Sequence, residues 1–332
     1  MDRRRLLIAL PISLAALGSA SVGAQALRRP LRVGFFSTGG VNADFKGPEP
    51  TNPSAGALLK GLRGLGYRYG SDVILEGRGG EGRPDRYAAI AGELVNANVD
   101  VIVAAGPTVD AVSRATSRIP IVMVGGAFDP VEAKVVTSLA APGGNITGLT
   151  LQQVDLVGKR LELLKEITPG PGPIGVLWEE SSVGSWTAAQ SAAEARGWQL
   201  LPSKILNRQG IEPACARVKA AGARLLLVAS GAVLFENSLQ VTQAATANGL
   251  VAVYALRRFA DQGGLMSYGA DLADLYRRAA TFVDRIAKGV NPAVIPIEQP
   301  TQFELVINMK TAKLLGVTIP QTVLLRADEV IQ

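Results

Sequence analysis

The sequence predicts an α/β protein of two doubly wound parallel-sheet lobes joined by a hinge, and three observations carry that expectation. Short apolar runs alternate with amphipathic stretches along most of the chain. Its 332 residues suffice for two domains of ordinary size. The apolar share is 48 %, dominated by small and branched aliphatic residues, with aromatics only 5 %. Runs such as Val99 to Ala104, apolar but for Asp100, suit strands buried on both faces, and Ala-rich helices pack closely over them.

In the first half, strands are expected at Leu31 to Ser37, Asp72 to Glu76, Val99 to Ala104 and Ile119 to Val124. Helices are expected at Pro53 to Leu65, Pro84 to Val95 and Thr108 to Thr116. The segment from Pro142 to Gly148 is rich in glycine and breaks the rhythm. A helix carrying Val154, Val157, Leu161 and Leu164 on one face then opens the second half. There, strands at Ile174 to Trp178, Leu200 to Ile205, Leu225 to Ala229 and Val251 to Tyr254 alternate with helices at Thr187 to Arg196, Glu212 to Ala220 and Phe235 to Ala247. A strand at Leu265 to Tyr268, an amphipathic helix at Asp271 to Lys288, a strand at Phe303 to Asn308 and a short helix ending at Gly316 follow. These last pieces are too small for a third domain, so they complete the two lobes and the chain crosses between them several times.

Met1 to Arg5 hold three arginines, Leu6 to Gly18 are apolar, and small residues run to Ala24, Gln25 and Ala26. Basic, then apolar, then small-x-small is the order of a secretory signal peptide. The apolar run is shorter than the roughly 20 residues a membrane span needs, and Pro11 interrupts it. Residues 1–26, or 1–24, are therefore expected to be a cleaved signal peptide leading to the periplasm. The general secretory route is expected, and Arg4, Arg5, Leu6 and Leu7 match a twin-arginine signal only loosely. Removing residues 1–26 deletes three Arg and one Asp and takes the formal charge from +6 to +4. The basic residues are scattered and lack interleaved aromatics, so no nucleic-acid partner is expected.

There are no histidines and one cysteine. That removes Ser-His-Asp and Cys-His catalysis, the usual zinc sites and any disulfide within the chain. Cys215 lies at helical spacing with Ile211, Ala214 and Val218, which reads as buried core. No Gly-x-Ser-x-Gly elbow, P-loop or Gly-x-Gly-x-x-Gly turn follows a strand. Glu179 and Glu180 adjoin on an extended segment and so point to opposite faces, a poor arrangement for a pair of catalytic acids. No catalytic residue, metal or cofactor is expected.

Ligands of open parallel sheets bind beyond the carboxyl ends of the strands, where helix N-termini present free N–H groups. The candidates are therefore the residues just after each strand. They are Ser37, Thr38, Gly106, Pro107, Thr108, Asp129 and Pro130 in the first lobe and Glu180, Ser181 and Ser230 in the second. Tyr254, Ser267 and Tyr268 are added from the crossing segments. Each has a structural alternative: Thr108 and Ser230 as helix caps, Asp129 and Pro130 as a turn. As a set they suit a small carboxylate-bearing molecule with an apolar or aromatic part. On this expectation the helix at Thr108 takes the carboxylate, Asp129 or Glu180 an ammonium, and Tyr254 or Tyr268 covers the apolar part.

Several motifs, met in order, carry a family resemblance. They include Gly61, Leu62, Leu65, Gly66 and Tyr67; Asp129, Pro130 and Val131; and the unbroken run from Ser138 to Gly148. Lys159 to Lys165, Gly263 to Gly269 and Glu298 to Asn308 continue the series. Through them the chain resembles the ABC-transporter substrate-binding proteins of the type I periplasmic fold, in the group that includes tryptophan- and tyrosine-type binders. The resemblance implies capture of a small-molecule solute for an inner-membrane ABC permease, by a monomer whose lobes are hinged by three crossings. The expected boundaries are 31–145 plus about 256–300 for lobe one and about 150–254 plus 303–332 for lobe two. The crossings then fall near 145–150, 254–258 and 298–303. Two departures leave ligand choice open: Lys134 stands where the family usually has Gly, and the 41–53 loop is longer than usual. A periplasmic sensor subunit for a signalling protein, and an exported enzyme using carboxylates such as Asp129 and Glu180, are the competing roles.

Overall fold

The computed structural model describes residues 29–126 and 129–332, so the expected signal peptide lies outside the described residues. The first sheet has the strand order β2-β1-β3-β4-β5, all parallel. Its strands are β1 (Leu31–Ser37), β2 (Val73–Gly79), β3 (Val101–Ala104), β4 (Ile121–Val124) and β5 (Ile146–Leu149). Helix α1 (Pro53–Gly64) lies between β1 and β2, α2 (Tyr87–Asn96) between β2 and β3, and α3 (Thr108–Ala115) between β3 and β4. Alternation along β1 decides the layers. Val33 and Phe35 pack with Leu58 and Leu62 of α1, while Phe36 joins Ile90 and Leu94 of α2 and Val109 and Val112 of α3.

The second sheet has seven strands, ordered β12-β11-β10-β9-β8-β6-β7. Its central strands are β6 (Ile174–Trp178), β7 (Leu200–Lys204), β8 (Leu225–Val228) and β9 (Val251–Tyr254). Then come β10 (Met266–Ala270), β11 (Phe303–Asn308) and β12 (Glu329–Ile331). All neighbours are parallel except β10 and β11. Its helices are α4 (Val157–Ile167), α5 (Val183–Glu194), α6 (Ile211–Ala220), α7 (Ala232–Glu236), α8 (Ser238–Ala247) and α9 (Arg257–Asp261). Helix α10 (Leu272–Ala287) returns to the first lobe, and α11 (Met309–Leu314) and α12 (Gln321–Leu324) finish the second. Cys215 is fully buried on α6 among Ile211, Ala214 and Val218, and burial pushes its thiol up to about 11, away from reactive thiolate.

Three segments depart from expectation. Residues 146–149 form β5, although the preceding Pro142-Gly143-Gly144-Asn145 reads as a break. The Thr147 hydroxyl donates to Ile295 O at 2.7 Å, and a Cβ at Gly148 would fall 2.0 Å from Met123 O, so glycine is what lets β5 lie against β4. The expected single helix at 235–247 is two, because Asn237 leaves the helical region (φ −105°, ψ 31°) and its amide donates to Val233 O at 2.8 Å. The third departure is a correction to the boundaries. Residues 256–270 were expected in lobe one, but Met266–Ala270 pairs with β9 and β11 in the second sheet. The close approach of Gly264 to the Tyr254 ring folds that segment back, so the second crossing falls at 270–272 instead of 254–258.

The first and third crossings run side by side. Thr150 N donates to Glu298 O and Glu298 N to Gly148 O, both at 2.9 Å, a parallel bridge between Leu149 and Glu298. Arg160, on α4, anchors this region from within lobe two. Its guanidinium is fully buried and donates to Tyr268 O (2.7 Å), Gln153 O (3.0 Å) and Gln153 Oε1 (2.6 Å). No carboxylate partner stands beside it among the described residues, and burial pulls its pKa down to about 9. Arg160 thereby ties Gln153, just after the first crossing, to Tyr268 within β10, the strand that precedes the second.

Helix α10 rejoins the first lobe by packing along α1, and Gly61 sets how close the two lie. A Cβ there would stand 2.4 Å from Arg277 O and 2.8 Å from the Ala280 Cβ, so backbone must shift to admit one. Gly61→Val is expected to destabilise the protein by about 1–3 kcal/mol of overpacking. The check is a thermal melt, in which the midpoint should fall by roughly 2–4 °C per kcal/mol for a protein of this size class.

Candidate functional site

The carboxyl ends of β1, β3 and β4 face those of β6, β8 and β9 across a cleft. From lobe one it is lined by Ser37, Thr38, Ser54, Ala105, Gly106, Pro107, Val124 and Gly126. The first crossing adds Leu151, and lobe two adds Ser181, Ser230, Gly231, Ala232, Phe235 and Leu256. Leu272 and Tyr276 close the floor from α10. The chamber measures about 150 Å³, and among the described residues no Asp, Glu, Lys or Arg lines it. It offers hydroxyls and backbone on one side and aliphatic and aromatic surface on the other.

Local sequence explains why backbone reaches the cleft. Gly106, at φ 55°, turns the chain from β3 into α3, and Gly125, at φ 74°, brings the end of β4 under Leu151. Gly231 is required for a different reason: a Cβ would lie 2.4 Å from the Glu179 carboxyl carbon. That carboxylate is buried at the end of β6. It accepts from Val233 N (3.2 Å), Leu234 N (3.0 Å) and Ser181 Oγ (2.5 Å), so it caps α7 and fixes the Ser181 hydroxyl at the cleft wall. Its neighbour Glu180 opens a 3-10 turn at Glu180–Ser182 instead of continuing the expected extended segment, and its side chain turns out to solvent.

One side-chain hydrogen bond spans the cleft. Thr38 Oγ1, after β1, donates to Glu236 Oε1, on α7 of the opposite lobe. Gly39 lets the carboxylate approach, since a Cβ there would sit 2.0 Å from Glu236 Oε2. Tyr87 stands behind this contact, and its phenol is pushed up first by burial, then by the charges of Glu236 and Glu179. It therefore stays neutral at physiological pH.

Of the expected residues, Ser37, Thr38, Gly106, Pro107, Ser181 and Ser230 meet in this cleft. The others are corrected by the structure. Thr108 is fully buried; its hydroxyl accepts from Ala105 N (3.0 Å) and donates to Ala105 O (2.9 Å), closing the β3–α3 turn. Asp129 is exposed and accepts from Val131 N (2.7 Å) and Glu132 N (3.0 Å), a turn with Pro130 buried behind it. Both border a separate depression beside Thr150 and Gln299. Lys134 in the same turn sits at φ 56°, a region that favours glycine. Glu180 is 81 % exposed and pairs with Lys204 on the outer face. Tyr254 is buried and stacked on Phe259 at 4.9 Å. Ser267 is buried, and Tyr268 packs 6.4 Å from Phe303 within lobe two.

The residues that sequence reasoning missed are Ser54, Leu151, Phe235, Leu272, Tyr276 and Glu236. Phe235 follows the Ser230–Gly231 strand end closely enough to have been included. Tyr276 is disguised, because it continues the apolar stripe of α10 and burial among Phe35 and its neighbours raises its phenol pKa. Among the described residues no cluster of three or more His, Cys, Asp or Glu is placed to hold a metal ion.

A family model described as ABC transporter substrate binding protein matches residues 50–331, and the chain belongs to this family. It is thus a solute-binding protein with the two-lobed type I periplasmic architecture. A curated relative, the tyrosine-binding protein of Clostridioides difficile, is 26 % identical over 262 residues, 78 % of this chain and 75 % of the relative. A conserved domain protein of Vibrio cholerae is similar at 27 % identity and a TM-score of 0.81, over 91 % of this chain and all of that one. An ABC domain from Streptococcus pneumonia in complex with L-Trp shares the fold at 24 % identity and a TM-score of 0.78, over 90 % of this chain and 100 % of its own.

The two threonines separate structure from function. Thr108→Val leaves a buried backbone N–H unpaired and should lower stability by about 1–3 kcal/mol without changing ligand affinity. Thr38→Val removes a bond to a charged group across the cleft, so ligand Kd should rise roughly tenfold to a hundredfold. Melting curves and calorimetry on both variants check this; a reversed pattern would return the site to Thr108.

Proposed function

We propose that the protein captures an aromatic amino acid in the periplasm, as a monomer, and delivers it to an ABC permease in the inner membrane. The observation that carries this reading is the uncharged, amphipathic cleft at the strand ends. Phe235, Tyr276, Leu151 and Leu272 offer apolar surface for a ring, and Ser37, Ser54 and Ser230 offer hydroxyls for a phenol or indole substituent. The tyrosine-binding and L-Trp-complexed relatives support the same ligand class. Export rests on the N-terminal order of basic, apolar and small residues. Among the described residues no helix is long and apolar enough to cross a membrane.

A thermal-shift screen of the chain without residues 1–26 tests the ligand class, with L-tyrosine, L-tryptophan, L-phenylalanine, L-leucine, L-glutamate and a nucleoside as probes. A true ligand at a hundredfold excess over Kd adds about 2.7 kcal/mol of stability. An aromatic amino acid should give the largest shift. Phe235→Ala should then weaken it by about 1.5–3 kcal/mol, roughly tenfold to a hundredfold in Kd. A response confined to glutamate or the nucleoside would reject the reading.

A further inference from the structure

The cleft opens into a second chamber, and the two differ in charge and size. The inner one, about 150 Å³, has no charged residue in its lining among the described residues. The outer one, about 550 Å³, shares Ser37, Ser54, Phe235 and Leu272 with it and is lined by Asp44, Glu236, Arg257, Arg258, Asp261, Asp271 and Glu304. An apolar cavity of about 150 Å³ holds a molecule the size of benzene. The inner chamber therefore takes a ring, and leaves no room for a charged head as well. Burying that head among uncharged groups would also be strongly unfavourable. Size and charge both direct the head outward.

Within the outer chamber the charged side chains are already engaged, with one exception. Asp44 accepts from Val41 N (2.8 Å) and Thr51 Oγ1 (3.2 Å), and Asp271 caps α10 through Ala273 N (2.8 Å) and Asp274 N (3.1 Å). Arg257 pairs with Asp261 (3.4 Å), Glu304 (3.6 Å) and Glu329 (2.6 Å), while Glu236 holds Thr38. The Arg258 side chain makes no ion pair or hydrogen bond among the described residues. Its guanidinium carbon lies 4.8 Å from the centre of the Phe235 ring, and Phe235 lines both chambers. A planar cation with unspent donors thus stands where the two chambers meet.

We propose that Arg258 binds the carboxylate of the ligand, so that the ring passes Phe235 into the inner chamber and the head stays outside. This rests on the aromatic amino-acid reading and adds an orientation and a specificity to it: a free carboxylate is favoured over an amide. It also moves the carboxylate from the start of α3, where sequence reasoning placed it, to the other lobe.

Calorimetry with L-tyrosine, L-tyrosinamide and 3-(4-hydroxyphenyl)propanoate tests the assignment on the wild type, Arg258→Gln and Arg258→Lys. The wild type should prefer the two acids over the amide. Arg258→Gln should weaken both acids about tenfold or more while leaving the amide unchanged, and Arg258→Lys should regain part of the loss. Wild-type affinity of Arg258→Gln for the acids overturns the proposal and leaves the amino-acid reading standing. Arg258-dependent binding of the propanoate without L-tyrosine binding does the reverse. Failure of both acids to bind the wild type rejects both.

Discussion

The bridge between Gly148–Thr150 and Glu298 is the constraint on which the rest of the molecule depends. Two crossings paired backbone to backbone at 2.9 Å cannot move independently, and the second crossing follows β10, which Arg160 fastens to Gln153 just after the first. All connections between the lobes therefore lie on one side of the cleft. This leaves the opposite side free to open, and it holds the carboxyl ends of the two sheets face to face. Among the described residues Arg160 has no carboxylate partner, and its guanidinium is held by carbonyl and amide oxygens.

The chemistry of the cleft follows from that placement. Parallel strands deliver loop residues at their carboxyl ends, and here the loops supply serines, glycines and backbone where a hydrolase would supply acids and bases. The carboxylates nearest the inner chamber are already occupied, Glu179 by the start of α7 and Glu236 by Thr38. Both organise the wall of lobe two. The glycines at 39 and 231 are the sequence counterpart of these contacts, because each makes room for one of the two carboxylates.

Much of the fold was legible in the sequence, because buried parallel strands such as Val101–Ala104 and Val251–Tyr254 are continuous apolar runs between turn residues. What was hidden had physical reasons. Strand β5 follows a Pro-Gly-Gly-Asn run that normally ends structure, and only contact with Met123 and Ile295 makes it a strand. The site was half legible. Ser37, Thr38, Gly106, Pro107, Ser181 and Ser230 follow from their position after strands. Thr108, Asp129 and Glu180 share that position, but their side chains turn to local backbone or to solvent. Phe235 is signalled only by its closeness to the Ser230–Gly231 strand end, and Tyr276 lies within the apolar stripe of α10, where no local pattern distinguishes a core aromatic from one at a cleft.

The central claim, that the lobes close about a solute held at the strand ends, is most directly tested by one distance. Cys215 is buried, so spin labels can be placed selectively at Asp85→Cys in lobe one and Leu239→Cys in lobe two, both exposed in the native chain. Pulsed dipolar spectroscopy would compare the separation without ligand and with saturating L-tyrosine or the tightest-binding aromatic amino acid. A shorter and narrower distance distribution on saturation is the predicted result. An unchanged distribution, with binding confirmed on the same sample, would contradict closure and with it the hinge on which this account is built.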